Sequence, residues 1–171
     1  MNQYEFAKAF ASIMHLGQRY GTNPYDFHLE QVEKTLLSFG FHAEYLLAAA
    51  WLHDVVEDTP ITHGMVKHGF DERIADIVYA VTNEYGRNRK ERHAKTYPKV
   101  KANKDALIVK LADRIANAES ARDSGSDLFA MYAKEWLEFH DTLFDPSETD
   151  SRVLEMWECL RVIFEDGKEK A

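Results

Sequence analysis

Leu46-Leu47-Ala48-Ala49-Ala50-Trp51-Leu52-His53-Asp54-Val55-Val56 sets a histidine and an aspartate inside an otherwise apolar run. With Glu44 before it and Pro60 beyond it, this stretch predicts a helix over 44–56, buried on most sides and stopping short of the proline. A carboxylate in such surroundings is costly unless it is paired or binds a metal. Glu57 and Asp58 follow directly. At about 100° per residue, His53 and Glu57 share one helix face, as do Asp54 and Asp58. One turn then gathers an imidazole and three carboxylates, a concentration of charge that a divalent cation would offset.

Outward from this run, apolar residues recur mostly at helical spacing, and only four prolines and eight glycines interrupt the 171 residues. The pattern predicts a first helix over 4–16, with Phe6, Phe10, Ile13 and Met14 inward, and then a loop over 17–25 around Gly21-Thr22-Asn23-Pro24. A second helix over 27–39 carries Val32, Leu36 and Leu37, and Gly40 marks its end. Beyond Pro60, Thr62 is a candidate N-cap for a short helix to His68, and Phe70-Asp71 opens another to about Glu84. Residues 87–104 are strongly basic without a clear apolar stripe, and read as part loop and part exposed helix. Asp105 is expected to cap a helix over 106–122. Two aromatic-rich helices, 128–143 and 151–165, close the chain around the Asp145-Pro146-Ser147 turn. No strand pattern and no internal repeat stands out, so the fold class expected is all-α, in a single domain.

Composition narrows the function classes. A hydrophobic share of 45% and a charged share of 29% fit a globular chain that can bury a core. The formal charge of −8 argues against a nucleic-acid groove, which needs a basic footprint, yet it permits a small anionic substrate beside a metal or a local basic cluster. No apolar run is long enough for a membrane span, and residues 1–10 lack the features of a signal peptide. The single cysteine, Cys159, excludes an intramolecular disulfide and a thiolate metal cluster. A cytoplasmic location is the default expectation.

Two further elements complete a candidate metal site. Asp113 interrupts the apolar helix of Lys110-Leu111-Ala112-Asp113-Arg114-Ile115-Ala116-Asn117, with Asn117 one turn later on the same face, and His28 opens its helix after Pro24-Tyr25. Imidazole and carboxylate donors together suit zinc, manganese or iron. Two histidines and two aspartates leave coordination positions for water and substrate, as a hydrolase requires. Lysines or arginines nearby would neutralise a phosphorylated substrate, with Arg19, Arg87, Lys90, Lys95 and Lys99 as candidates.

A histidine on one helix, a His-Asp doublet on a later buried helix and a distant aspartate resemble the HD phosphohydrolase superfamily. Within it, His53-Asp54-Val55-Val56-Glu57-Asp58-Thr59 followed by Lys110-Leu111-Ala112-Asp113-Arg114 and Asn117 resembles the hydrolase domain of the RelA/SpoT stringent-response proteins. Gly17-Gln18-Arg19, Pro24-Tyr25 and His28 resemble that domain's opening segment, and Gly69-Phe70 through Val81-Thr82 its intervening helix. The likeness covers roughly residues 15–122. No synthetase region follows, so the expectation is a small stand-alone hydrolase.

The resemblance implies an HD-domain helical bundle that removes pyrophosphate from the ribose 3′ position of (p)ppGpp, with manganese as the usual metal. It implies His28, His53, Asp54 and Asp113 as metal ligands, Glu57 and Asp58 as the acidic pair acting on the attacking water, and Asn117 and Arg19 as nucleotide contacts. Lys90 and Lys99 join them as candidate phosphate contacts. The chain departs from the family pattern at Tyr20, where lysine usually follows the arginine, at Leu29, where proline usually follows the histidine, and at Glu119, where a basic residue is common.

Plainer readings stand beside these. His53-Asp54 alone could be a buried ion pair, Asp113 a partner of Lys110 or Arg114, and Glu57-Asp58 a solvated helix end. The other six histidines, His15, His42, His63, His68, His93 and His140, lack ligand spacing and read as surface or packing residues. Phe129, Tyr132, Trp136 and Phe139 read first as core and second as a surface for a homo-oligomer, and Cys159 as a small buried hydrophobe. As alternative functions, the same helices could serve an HD hydrolase of dNTPs or nucleoside monophosphates, or a non-catalytic nucleotide sensor.

Overall fold

The computed structural model describes residues 2–166, among which ten helical segments and one two-residue hairpin are found. The helices are α1 (Gln3–Met14), α2 (Asp26–Ser38), α3 (Glu44–Leu52), α4 (Val55–Asp58), α5 (His63–Gly69), α6 (Glu72–Val81), α7 (Arg89–Ala102), α8 (Lys104–Asp123), α9 (Asp127–Leu143) and α10 (Ser151–Asp166). The all-α class is that expected from the periodicity.

At the centre stand α3 and α8. Every residue from Leu46 to Leu52 is buried, as are Ala106 to Val109 and Leu111 to Ala116 along α8. Around them, α2 and α6 pack against both, α1 lies on α3, and α9 and α10 lie on α8. Burying each large aliphatic side chain here contributes about 1.5–3 kcal/mol, which lets the centre tolerate the polar groups lodged in it. One of these is Glu33, which accepts from Trp51 Nε1 at 2.8 Å and from the Tyr4 hydroxyl, and ties α1, α2 and α3 together.

The central helix is shorter than expected, and the reason lies in His53. Its Nδ1 is 2.6 Å from the Ala50 carbonyl, so the imidazole takes an acceptor at the end of α3. The chain re-enters a helix only after Asp54, whose carbonyl accepts from Glu57 N and Asp58 N at 3.1 and 3.0 Å. The 44–56 helix is therefore α3 and α4 with a break at His53-Asp54.

Other boundaries also shift. The 17–25 segment contains an antiparallel pairing of Arg19–Tyr20 (β1) with Asn23–Pro24 (β2), closed by Gly21 at φ +60°, the sign that tight hairpin turns favour. In α1 the inward residues are Ala7 and Ala11, while Ile13 is 63% exposed, because α1 approaches α3 closely through small side chains. Residues 89–102 form one continuous helix whose inner stripe is His93, Thr96, Tyr97 and Val100, with Pro98 on the outside. Asn103, and not Asp105, caps α8 by accepting from Ala106 N, and Asp105 instead pairs with Arg73 at 2.7 Å. In α9, Tyr132 and Phe139 are core, and Trp136 packs on Trp157 and Phe164 of α10. Cys159 is half-buried. No helix among the described residues is long and apolar enough to cross a membrane.

Candidate metal centre and phosphate cavity

Four side chains from three parts of the chain converge where α2, the α3–α4 break and α8 meet. His28 Nε2 and His53 Nε2 lie 3.2 Å apart. Asp54 Oδ2 is 3.0 Å from His53 Nε2 and 3.5 Å from His28 Nε2, and Asp113 Oδ1 is 3.4 Å from His28 and 3.6 Å from His53. The break explains Asp54, since ending α3 at Leu52 lets adjacent residues 53 and 54 turn toward the same point. Because a carbonyl can only accept, His53 Nδ1 carries the proton in its bond to Ala50, and a neutral His53 aims a lone pair from Nε2 into the cluster. Separations of 3.0–3.6 Å are also those between neighbouring donors around a first-row ion bound at about 2.1 Å. His28, His53 and Asp113 offer ligand atoms within 4.8 Å of one another and so fit a divalent cation, with Asp54 beside both imidazoles as a fourth candidate donor.

Without that charge the cluster holds protons. Burial opposes a charged His53, but Asp54 and Asp113 outweigh it and raise the imidazole well above its ordinary range. His28 is also raised, burial again being overcome by hydrogen bonds with Asp113 and Asp54. Burial pushes Asp54 and Asp113 up, yet both are held well below the usual carboxylate range, Asp54 by His53 and His28, and Asp113 by Lys110 and the two histidines. Lys110 Nζ donates to Asp113 Oδ2 at 3.1 Å, and Asn117 Nδ2 donates to Asp113 Oδ1.

Two acids stand near the cluster, Asp58 on the lining of the adjoining cavity and Glu57 behind Asn83. Asp58 Oδ2 and Asp54 Oδ2 both face the Tyr25 hydroxyl, at 3.0 and 2.6 Å, and Tyr25 is stacked on His15 at 4.4 Å. Glu57 accepts from Asn83 N at 2.7 Å and Asn83 Nδ2 at 2.9 Å, just beyond the end of α6. The protein packed around each carboxylate, with the Asp54 charge nearby, raises both pKa values. Lys110 and Asn83 act the other way on Glu57, and the Tyr25 hydrogen bond does so on Asp58. A carboxylate held in this way is a better proton acceptor than a free one.

The cluster opens into a cavity of about 150 Å³ whose lining includes Asp54, Asp58 and Asp113 together with Arg89, Lys110 and Arg114. A larger groove of about 680 Å³, lined by Phe6, Tyr45 and Ile74 among others, carries none of these residues. Size alone would have misplaced the site.

Residues 6–143 match the family model described as HD domain. The chain belongs to the HD domain family. HD domains are metal-dependent, in keeping with the His/Asp cluster. Among curated relatives, this HD domain is 31% identical over 145 residues to a guanosine-3′,5′-bis(diphosphate) 3′-pyrophosphohydrolase of Aquifex aeolicus, covering 82% of the chain and 20% of that protein. It is 32% identical over 134 residues to the enzyme of the same name from Haemophilus influenzae, covering 74% of the chain and 20% of that protein. The chain thus spans about a fifth of the length of these relatives. Its fold is shared with a metazoan ortholog of SpoT described as hydrolysing ppGpp, at a TM-score of 0.77 and 24% identity over 94% of this chain and 95% of the other. A Listeria monocytogenes structure matches at a TM-score of 0.64 and 25% identity over 82% and 98%.

Of the residues singled out in the sequence, the HD domain brings together His28, His53, Asp54, Asp113, Asp58 and Asn117, with Glu57 adjoining through Asn83. It does not bring in the surface cations. Arg19 and Lys90 are exposed and outside the cavity lining. Lys99 is spent on the end of α6, donating to the Tyr79 and Thr82 carbonyls at 3.0 Å and pairing with Glu84 at 2.6 Å. Arg87 pairs with Glu91, and Lys95 donates to the Tyr85 carbonyl. Arg89, Lys110 and Arg114, none of them among the phosphate contacts expected from the sequence, line the cavity instead. Lys110 and Arg114 were legible in principle, being three residues before and one after Asp113, whereas nothing in the basic run marks Arg89 apart from its neighbours. His93, read as a packing residue, is buried against Tyr97 but also lines the cavity, where burial and the facing Arg89 hold its imidazole down to about 4. Tyr20 stacks on His28 at 4.8 Å and donates to Asn117 Oδ1 at 2.9 Å, so the departure from the family pattern forms a wall of the site.

Proposed function

We propose that this chain is a metal-dependent hydrolase that removes the 3′-pyrophosphate of (p)ppGpp. The observation that carries the reading is the cavity itself, which a His/Asp cluster, Asp58 and three cationic side chains line together. The named relatives across most of the chain support the same reading. A nucleotide substrate of this kind accords with the expected cytoplasmic location.

His28, His53, Asp54 and Asp113 would hold the ion, with manganese the preferred identity over zinc or iron. When bound, it supplies a water of lowered pKa and polarises a phosphoryl oxygen. Asp58, beside Tyr25, would orient the attacking water, and Glu57, its pKa raised, would take the proton that the water gives up. Lys110 and Arg114 neutralise the pyrophosphate as the P–O3′ bond breaks, which is the main demand of phosphoryl transfer, and Arg89 grips the same group equally before and during that step. Water oxygen ends on the departing pyrophosphate, and O3′ leaves on GDP with a proton. Asn117 is fixed between Tyr20 and Asp113, and so contributes to the nucleotide side mainly by holding Asp113 and Tyr20 in register. A cavity of about 150 Å³ accommodates phosphates rather than a whole nucleotide, so the nucleoside lies toward its open side.

The test is a substrate panel with the manganese-loaded protein. ppGpp is expected to yield GDP and pyrophosphate, with dNTPs and nucleoside monophosphates left intact. Turnover of dNTPs but not ppGpp would assign the chain to another HD nucleotide hydrolase, and binding without turnover of any nucleotide would assign it to a sensor.

A further inference from the structure

The cationic side of the cavity is organised by a residue outside every motif. Glu135, on α9, accepts from Arg89 Nε at 2.6 Å with one oxygen and from Arg114 Nη1 at 3.2 Å with the other. It thereby joins α7, α8 and α9 at one carboxylate. Arg114 is buried beneath the faces of Tyr132 and Phe139, at 4.9 and 4.6 Å, and has little freedom. Arg89 differs, since its side chain is 37% exposed and only its Nε is engaged by Glu135. Both Nη groups remain as donors, on a guanidinium whose plane the Glu135 bond fixes. Lys110 and Arg114 also line this cavity, so without an anion between them Arg89 would be repelled into water.

We infer that Glu135 is a positioning residue that aims the Arg89 guanidinium into the cavity as a preorganised grip for a pyrophosphate group. The inference rests on the phosphohydrolase reading of the cavity. Freed of Glu135, Arg89 regains the rotamer freedom of a long side chain and must be immobilised anew by each ligand, so affinity is lost and the chemical step is not.

Glu135→Ala, Glu135→Gln, Arg89→Ala and the double variant of Glu135→Ala with Arg89→Ala are compared in the full chain. Steady-state turnover of ppGpp and calorimetric titration with inorganic pyrophosphate are the two readouts. Glu135→Ala is expected to raise both KM and the pyrophosphate Kd about tenfold, the loss of one charge-assisted contact. Its kcat stays within about threefold of wild type, as for loss of uniform binding. Glu135→Gln, which keeps one acceptor oxygen but turns an NH2 donor toward the other arginine and carries no charge, falls between, and it carries the test should the alanine variant not fold. The double variant is no worse than Arg89→Ala alone, because both act through one group. Unchanged KM and Kd in a Glu135 variant that merely melts lower, or additive losses in the double variant, would overturn the inference. Failure of wild type to turn over ppGpp counts against the phosphohydrolase reading alone, since the pyrophosphate titration still reads the coupling of Glu135 to Arg89.

Discussion

Asp113 illustrates how much a single side chain is asked to do at this site. One oxygen faces His28 and His53 and the other accepts from Lys110, so the carboxylate is held on both sides before any ion arrives. Asp113→Ala and Asp54→Ala are each expected to abolish metal uptake and turnover, read by metal analysis of the purified protein. Glu57→Gln should keep its metal content while losing ~10²–10⁴ in rate, the usual scale of general base catalysis. Full activity in that variant would leave Glu57 as a support for Asn83 only. Protons also report on the cluster. His53 and His28 are raised in the metal-free site, so a cation binds in competition with a proton. Apparent metal affinity is therefore expected to increase with pH until the raised imidazole range is passed and then to level off. Calorimetry in two buffers of different ionisation enthalpy should show proton release at neutral pH. An affinity that is flat across that range would contradict the assignment of lone pairs to this site.

At the scale of elements, periodicity found the helices it could see and misjudged those whose burial is not apolar. α3 and α8 were legible because runs of leucine, alanine and isoleucine leave no other interpretation. α7 was not, since its inner stripe of His93, Thr96, Tyr97 and Val100 contains two polar residues and Pro98 interrupts the run. The break after Leu52 was hidden for a different reason, because it depends on a side chain, His53, claiming a carbonyl at the helix end. The metal-ligand residues were nevertheless legible, since a charged group inside an apolar run is itself the signal. The cationic groups were not, because lysines and arginines abound on surfaces and only packing separates Arg89 from Lys90. The start of α7 can be probed at Gly86, where an added Cβ would lie 2.8 Å from Arg92 N and 3.1 Å from Glu91 C. The obstacle is backbone rather than a flexible side-chain end, so Gly86→Ala is expected to shift the first turn of α7 and raise KM for ppGpp through Arg89. Unchanged KM and an unchanged melting temperature would show that the turn adapts freely.

In the molecule as a whole, α2, the α3–α4 break and α8 carry the candidate ligands, and α7 and α9 complete the cationic side with α8. α7 brings Arg89, α8 brings Lys110 and Arg114 beside Asp113, and α9 supplies the carboxylate that holds the two arginines. Of the two C-terminal helices, α9 thus reaches the cavity although it lies beyond residues 15–122. The most direct test of the central claim is hydrolysis of ppGpp in ¹⁸O-labelled water with manganese present, followed by mass analysis of both products. The account predicts one label in pyrophosphate, none in GDP, and no products from Asp113→Ala. Label in GDP, release of orthophosphate in place of pyrophosphate, or intact ppGpp beside a metal-loaded protein would contradict it.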